Sequence, residues 1–182
     1  MITIFEKEIP NKMEELTIEQ FEKISQILND KELDNIEKYM NVFKFLGIEE
    51  KMWDDYPFSQ FIELVREFNL NSYTPGEAQL EIELEGYQYQ AELRLSVKET
   101  KLIEKIINHK PHHYISDILA VMFKRVDLSN VEHFDNAHLT HKAKLFRTQK
   151  ADFCVPFIVF VTEKISEYAK ANSPEGMESN NS

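Results

Sequence analysis

Leu80-Glu81-Ile82-Glu83-Leu84-Glu85-Gly86-Tyr87-Gln88-Tyr89-Gln90-Ala91-Glu92-Leu93 decides the fold class, because here the apolar period falls from that of a helix to two residues. Strict alternation puts Leu80, Ile82 and Leu84 on one face and Glu81, Glu83 and Glu85 on the other, as a half-buried strand requires. Glu85-Gly86 sits where a two-residue turn is needed, and alternation resumes at Tyr87. The stretch predicts a β-hairpin over about residues 79–94. Everything around it reads as helix.

Upstream, Thr17 with Gln20 three residues later forms a capping box, and Ile18, Phe21, Ile24, Ile27 and Leu28 follow at helical spacing. A second helix is predicted from about Lys31 to Leu46, with Leu33, Ile36, Met40, Phe43 and Leu46 inward and Gly47 just past its end. Pro57 suits the start of a third helix carrying Phe61, Ile62, Leu64, Val65 and Phe68. Residues 2–9 alternate loosely and read as a short strand or extended arm. Residues 69–76 are turn-like.

Downstream, Ser96 and Glu99 make a second capping box ahead of Leu102, Ile103, Ile106 and Ile107. Pro111 separates that helix from one over about His113 to Lys124, and residues 127–134 read as polar loop. Two more helices cover about Asn136 to Lys150 and Phe153 to Ala171. The latter is apolar on every side from Val155 to Val161, so it is expected at the centre of the core. The expectation is a mainly α, α+β fold, a bundle of about six to seven helices with one inserted hairpin. Residues 1–171 form a single domain, and the small polar residues of 172–182 form a disordered tail.

Composition agrees. Only 4 Gly and 6 Pro among 182 residues leave little for a turn-rich β architecture, whereas 42% apolar and 12% aromatic content supports a packed interior. The net charge of −11 is uneven. Residues 1–100 carry −12 and residues 101–182 carry +1. An acidic half repels phosphate backbones, so nucleic acid is not an expected partner; the charge reads first as surface that keeps a small domain soluble, with steering toward a basic protein segment as the alternative. The basic stripe Lys142, Lys144, Arg147 and Lys150 reads as a solvated helix face. Cys154, the single cysteine, lies between Phe153 and Val155 and reads as a buried, inert thiol in a reducing, cytosolic compartment. The first residues lack a basic stretch followed by an apolar core, so no export signal is expected. The longest apolar run, Val155 to Val161, contains Pro156 and is too short for a bilayer, so no membrane partner is expected.

No pattern carries catalysis. Glycine loops for phosphates, a Gly-x-Ser-x-Gly elbow and metal-ligand spacings are all lacking. His109, His112 and His113 flank Pro111 and read as exposed loop. His138 and His141, near His133 and Asp135, share a helix face, but three or four ligands are needed for zinc, so no metal and no cofactor is expected. The Glu81, Glu83, Glu85 and Glu92 carboxylates read as a solvated strand face that discourages edge aggregation. The expectation is a protein that is not an enzyme and acts by binding other proteins.

One order of motifs is familiar. Glu15-Leu16-Thr17-Ile18-Glu19-Gln20-Phe21 opens an amphipathic helix, and a second ends in Phe43-Lys44-Phe45-Leu46-Gly47. After a third helix comes the Gly86-Tyr87-Gln88-Tyr89 hairpin. Leu95-Ser96-Val97-Lys98-Glu99-Thr100 follows, then the helix Tyr114-Ile115-Ser116-Asp117-Ile118-Leu119-Ala120-Val121-Met122-Phe123. Over about residues 14–165 this resembles the tail-assembly chaperones and related accessory proteins of tailed bacteriophages. The resemblance implies a non-enzymatic phage protein in the host cytoplasm that binds the long helical tape-measure protein, or other tail proteins, during assembly. Its alternative is a structural component retained in the virion, for which a homo-oligomer is the natural form. A chaperone of exposed apolar helices needs an adaptable aromatic and methionine surface. Met40, Phe43, Trp53, Tyr56, Phe58 and Met122 are the candidate residues, with Trp53 expected to be exposed in a loop.

Overall fold

The computed structural model describes residues 1–68, 70, 73–109, 113–128 and 136–171, with backbone only for 136, 137 and 164–171. The fold is mixed α+β and mainly helical. Its helices are α1 (Ile18–Leu28), α2 (Asn35–Phe45), α3 (Phe58–Glu67), α4 (Val97–His109), α5 (Tyr114–Met122), α6 (Asn136–Arg147) and α7 (Ala151–Ala171). Strands β1 (Ile2–Ile4) and β2 (Lys7–Ile9) pair with each other, and β3 (Glu81–Leu84), β4 (Tyr87–Ala91) and β5 (Phe123–Arg125) form a three-stranded antiparallel sheet in that order. Residues 172–182, His112, His133 and Asp135 lie outside the described residues, as does most of the expected 127–134 loop.

Local chemistry sets the helix ends. Thr17 Oγ1 accepts from Gln20 N while Gln20 Oε1 accepts from Thr17 N, and Ser96 with Glu99 repeats the reciprocal pair. α2 starts later than the sequence pattern suggests, because Asp34 accepts from the Ile36 and Glu37 amides and Glu37 returns a bond to Asp34 N. It ends in a Schellman motif. Gly47 has φ +97, its N–H donates to Lys44 O, and Ile48 N donates to Phe43 O.

Three differences from the sequence reading have physical causes. The N-terminal arm is a complete hairpin, turned by Phe5 (φ 49) and Glu6 (φ 64) in the left-handed region without a glycine. Ring packing of Phe5 edge-on to Trp53 and Tyr56, at 5.2 and 5.1 Å, offsets that strain. The helical run expected to reach Lys124 stops at Met122. There Phe123–Arg125 turns extended and pairs with β4, Ala91 opposite Phe123 and Tyr89 opposite Arg125. Trp53 lies on a short 3-10 helix, Glu50–Trp53, rather than in an open loop.

Two apolar clusters fill the interior. One gathers β1, β2, α2, α3 and Trp53 around Phe43; the other gathers the three-stranded sheet, α5, α6 and α7 around Leu119, Phe123, Phe146 and Phe157. α1 serves both, with Ile24 in the first, Ile18 in the second and Phe21 packed against each. Main-chain bonds from Ile18 N to Gln149 O and from Ala151 N to Leu16 O tie the start of α1 to the start of α7.

Candidate functional site

The six residues singled out from sequence separate into two places. Phe43, Trp53 and Tyr56 meet in one aromatic group with Phe5 and Phe61, at centroid distances between 5.1 and 6.1 Å and mostly edge-on. Met40 packs half-buried against the same cluster. Trp53 is not an exposed loop residue: it is 9% exposed, because the β1–β2 turn folds Phe5 over it. Its indole Nε1 is buried with no hydrogen-bond partner among the described residues. Phe43 is fully buried, and Met122 belongs to the other cluster at 3% exposure. Neither can touch a client without opening the fold. Phe58 is the exception, 61% exposed and stacked on Phe61.

The open apolar surface lies one helix face away. α1 and α2 pack against each other, and Lys23, Gln26 and Ile27 of the first, with Asp30 just beyond its end, line a groove of about 650 Å³ with Asn41, Lys44 and Phe45 of the second. Leu33, in the connection, closes one end. Each set recurs at i, i+3 and i+4, so helical geometry alone aligns it. Ile27, Leu33 and Phe45 are its apolar lining residues, with Phe45 40% exposed. Lys23, Asp30 and Lys44 are its charged lining residues, and Lys44 Nζ is held at 2.8 Å from Glu50. The sequence reading passed over Phe45, although two phenylalanines two positions apart on one helix cannot both face the core. Ile36, Met52 and Phe58 add exposed apolar surface on the same half of the chain.

The chain matches no known protein family, no curated protein and no solved structure. Its site is therefore read from its own geometry.

A second constellation is polar and internal. Glu22, fully buried on α1, accepts from the Ile115 and Ser116 amides at 2.7 and 2.9 Å, so it caps α5 from a neighbouring helix. Its other oxygen lies 3.2 Å from His113 Nδ1. Burial raises its pKa, and the amide and imidazole contacts only partly offset that. Ser116 Oγ donates to the His113 carbonyl at 2.9 Å, and Arg147 reaches both Ser116 and, at 3.6 Å, Asp117. The imidazole is directed at the Glu22 carboxylate, and Ser116 Oγ lies 2.9 Å from the His113 carbonyl and 3.5 Å from Glu22 Oε2. The group fastens α5 to α1.

The remaining sequence candidates are scattered. Burial raises the pKa of the Cys154 thiol, whose Sγ contacts Ala151 O at 3.2 Å. His109 Nδ1 lies 2.8 Å from Lys105 O, and His141 Nε2 lies 3.5 Å from Glu85. Among the described residues no group of three His, Cys, Asp or Glu is placed to hold a metal ion. Among them, too, no helix is long and apolar enough to cross a membrane. Glu99 and Lys124 pair at the floor of a polar hollow beside Arg94, Leu95 and Ser96; burial would raise the Glu99 pKa, but Lys124 and Ser96 outweigh it and hold it low.

Proposed function

We propose that this chain is a non-catalytic protein-binding factor, a tail-assembly chaperone of a tailed phage, which receives an amphipathic helix of a tape-measure-like client in the α1–α2 groove. The observation that carries the reading is that groove, in which Ile27, Leu33 and Phe45 line the wall together with Lys23, Asp30 and Lys44. A single helix laid between these two helices buries its apolar stripe there, as in other helix-in-groove complexes. The motif order over residues 14–165 supplies the phage setting, in which such clients are made in the host cytoplasm before the tube covers them.

Phe45→Asp tests it. The side chain is partly exposed, so the change leaves the core intact while placing a charge in the groove. Tagged protein recovered from phage-infected cells is expected to bring down one long helical tail protein. The Phe45→Asp protein is expected to lose at least about nine-tenths of it, the loss of one apolar anchor being worth about 1.4 kcal/mol or more. Equal recovery by both proteins overturns the groove. Recovery of the chain itself in fixed ratio within purified particles identifies a structural virion component instead.

A further inference from the structure

The three-stranded sheet ends at β3, whose far edge is paired by no described residue. Register fixes what that edge offers. Ala91 N donates to Leu80 O, and the turn at Glu85 (φ 51) and Gly86 (φ 79) joins Leu84 to Tyr87. Hydrogen-bonded pairs alternate along an antiparallel ladder, so Leu80, Ile82 and Leu84 bond to β4 and the N–H and C=O groups of Glu81 and Glu83 point outward. Their side chains oppose Gln90 and Gln88, whose amides reach them at 3.4 and 3.3 Å, as expected for the closer non-bonded pairs. Glu81, Glu83 and Glu85 are all exposed, and among the described residues no cation pairs with the first two.

We propose that the outer edge of β3 docks an extended segment of a partner protein in which lysine or arginine alternates with apolar residues. The backbone of such a segment completes the ladder at Glu81 and Glu83. Its basic side chains lie opposite Glu81 and Glu83, and its apolar ones extend the face of Ile82 and Leu84. A crevice lined by Ala78, Leu80, Val159 and Phe160, with Glu77 and Glu163 also in its wall, lies beside the strand's beginning and receives the residue that follows. Charge selects this occupant. A second copy pairing antiparallel through β3 sets Glu81 against Glu83 on one face, directly opposed like charges that disfavour the contact, and residues 1–100 carry a net −12. This edge is separate from the α1–α2 groove.

The test is amide hydrogen exchange of the isotope-labelled full chain with a short peptide of alternating lysine and valine. Bound peptide is expected to slow exchange at Glu81 and Glu83, more weakly as salt rises. Glu81→Lys with Glu83→Lys is expected to weaken binding about tenfold or more. Glu83→Pro removes an outward N–H without touching the β3–β4 ladder, so binding is abolished while β4 amides keep their protection. Peptide binding unaffected by these changes overturns the proposal, as does absence of binding. Concentration-dependent protection of the same amides without peptide overturns it in favour of self-association. Phe45→Asp is expected to leave peptide binding unchanged, so failure here and failure of the groove are told apart.

Discussion

Glu22 is a carboxylate taken out of water to close the first turn of α5. Two amide donors and the His113 imidazole compensate its charge, yet burial still raises its pKa above the usual 4.5. The folded chain therefore holds this proton more tightly than the unfolded chain does. The linkage is then fixed: above 4.5, stability attributable to Glu22 falls as pH rises through the elevated folded value, and it is regained on acidification. Glu22→Gln keeps one acceptor and removes the titration. In urea denaturation across pH, the stability of the glutamine protein relative to the parent is expected to rise as pH increases from about 4.5 and then level off. A difference independent of pH shows that Glu22 does not titrate abnormally. No sequence pattern pointed to this residue, because a capping carboxylate supplied by another helix leaves no local signature. Phe45 was also missed, although a local signal existed: the periodicity that buries Phe43 turns Phe45 outward. The expectation that Trp53 is exposed failed because the ring covering it, Phe5, comes from a turn that the sequence does not announce.

At the level of elements, much of what rests on neighbouring residues was readable, although the local Asp34–Glu37 box that starts α2 was missed. The Thr17–Gln20 and Ser96–Glu99 boxes, Gly47 after α2 and the Glu85–Gly86 turn all stand where their side-chain chemistry puts them. Elements that depend on distant partners were not. β1 and β2 need Trp53 and Tyr56 to hold Phe5 at positive φ, and β5 needs β4 to draw Phe123 out of a helical pattern. α7 has a similar long-range dependence. Pro156 lies inside it and brings no N–H, so the Asp152 carbonyl lacks the donor an unbroken helix provides. The Tyr73 hydroxyl donates to that oxygen at 3.2 Å from the segment leading to β3. Tyr73→Phe is expected to cost about 1 kcal/mol. In a Pro156→Ala background, where residue 156 regains its N–H, the same change is expected to cost less by about 0.5 kcal/mol or more. A double-mutant cycle in urea measures this coupling, and additive costs rule out the substitution of one donor for the other.

Across the whole molecule, two cores share their supports. α1 sends Ile24 to the Phe43 cluster and Ile18 to the Phe123 cluster, and α7 sends Ala151 to the first and Cys154 and Phe157 to the second. Neither cluster can lose its share of α1 without fraying the helix the other packs against, because helix formation is cooperative along the chain. Phe21 and Val155 pack against both. A single unfolding transition follows, and the chain carries its own reporters. Trp53, the single tryptophan, sits in the first cluster, while far-ultraviolet circular dichroism averages over helices of both. The two probes are expected to give one midpoint in urea. Phe21→Ala removes a ring lodged between the clusters. Its cost is expected at about 2 kcal/mol, below that of a fully buried phenylalanine because Phe21 is only half-buried. Both midpoints should move down together. If tryptophan fluorescence instead shifts while the dichroism midpoint holds, the halves unfold independently, and the shared helices do not couple them.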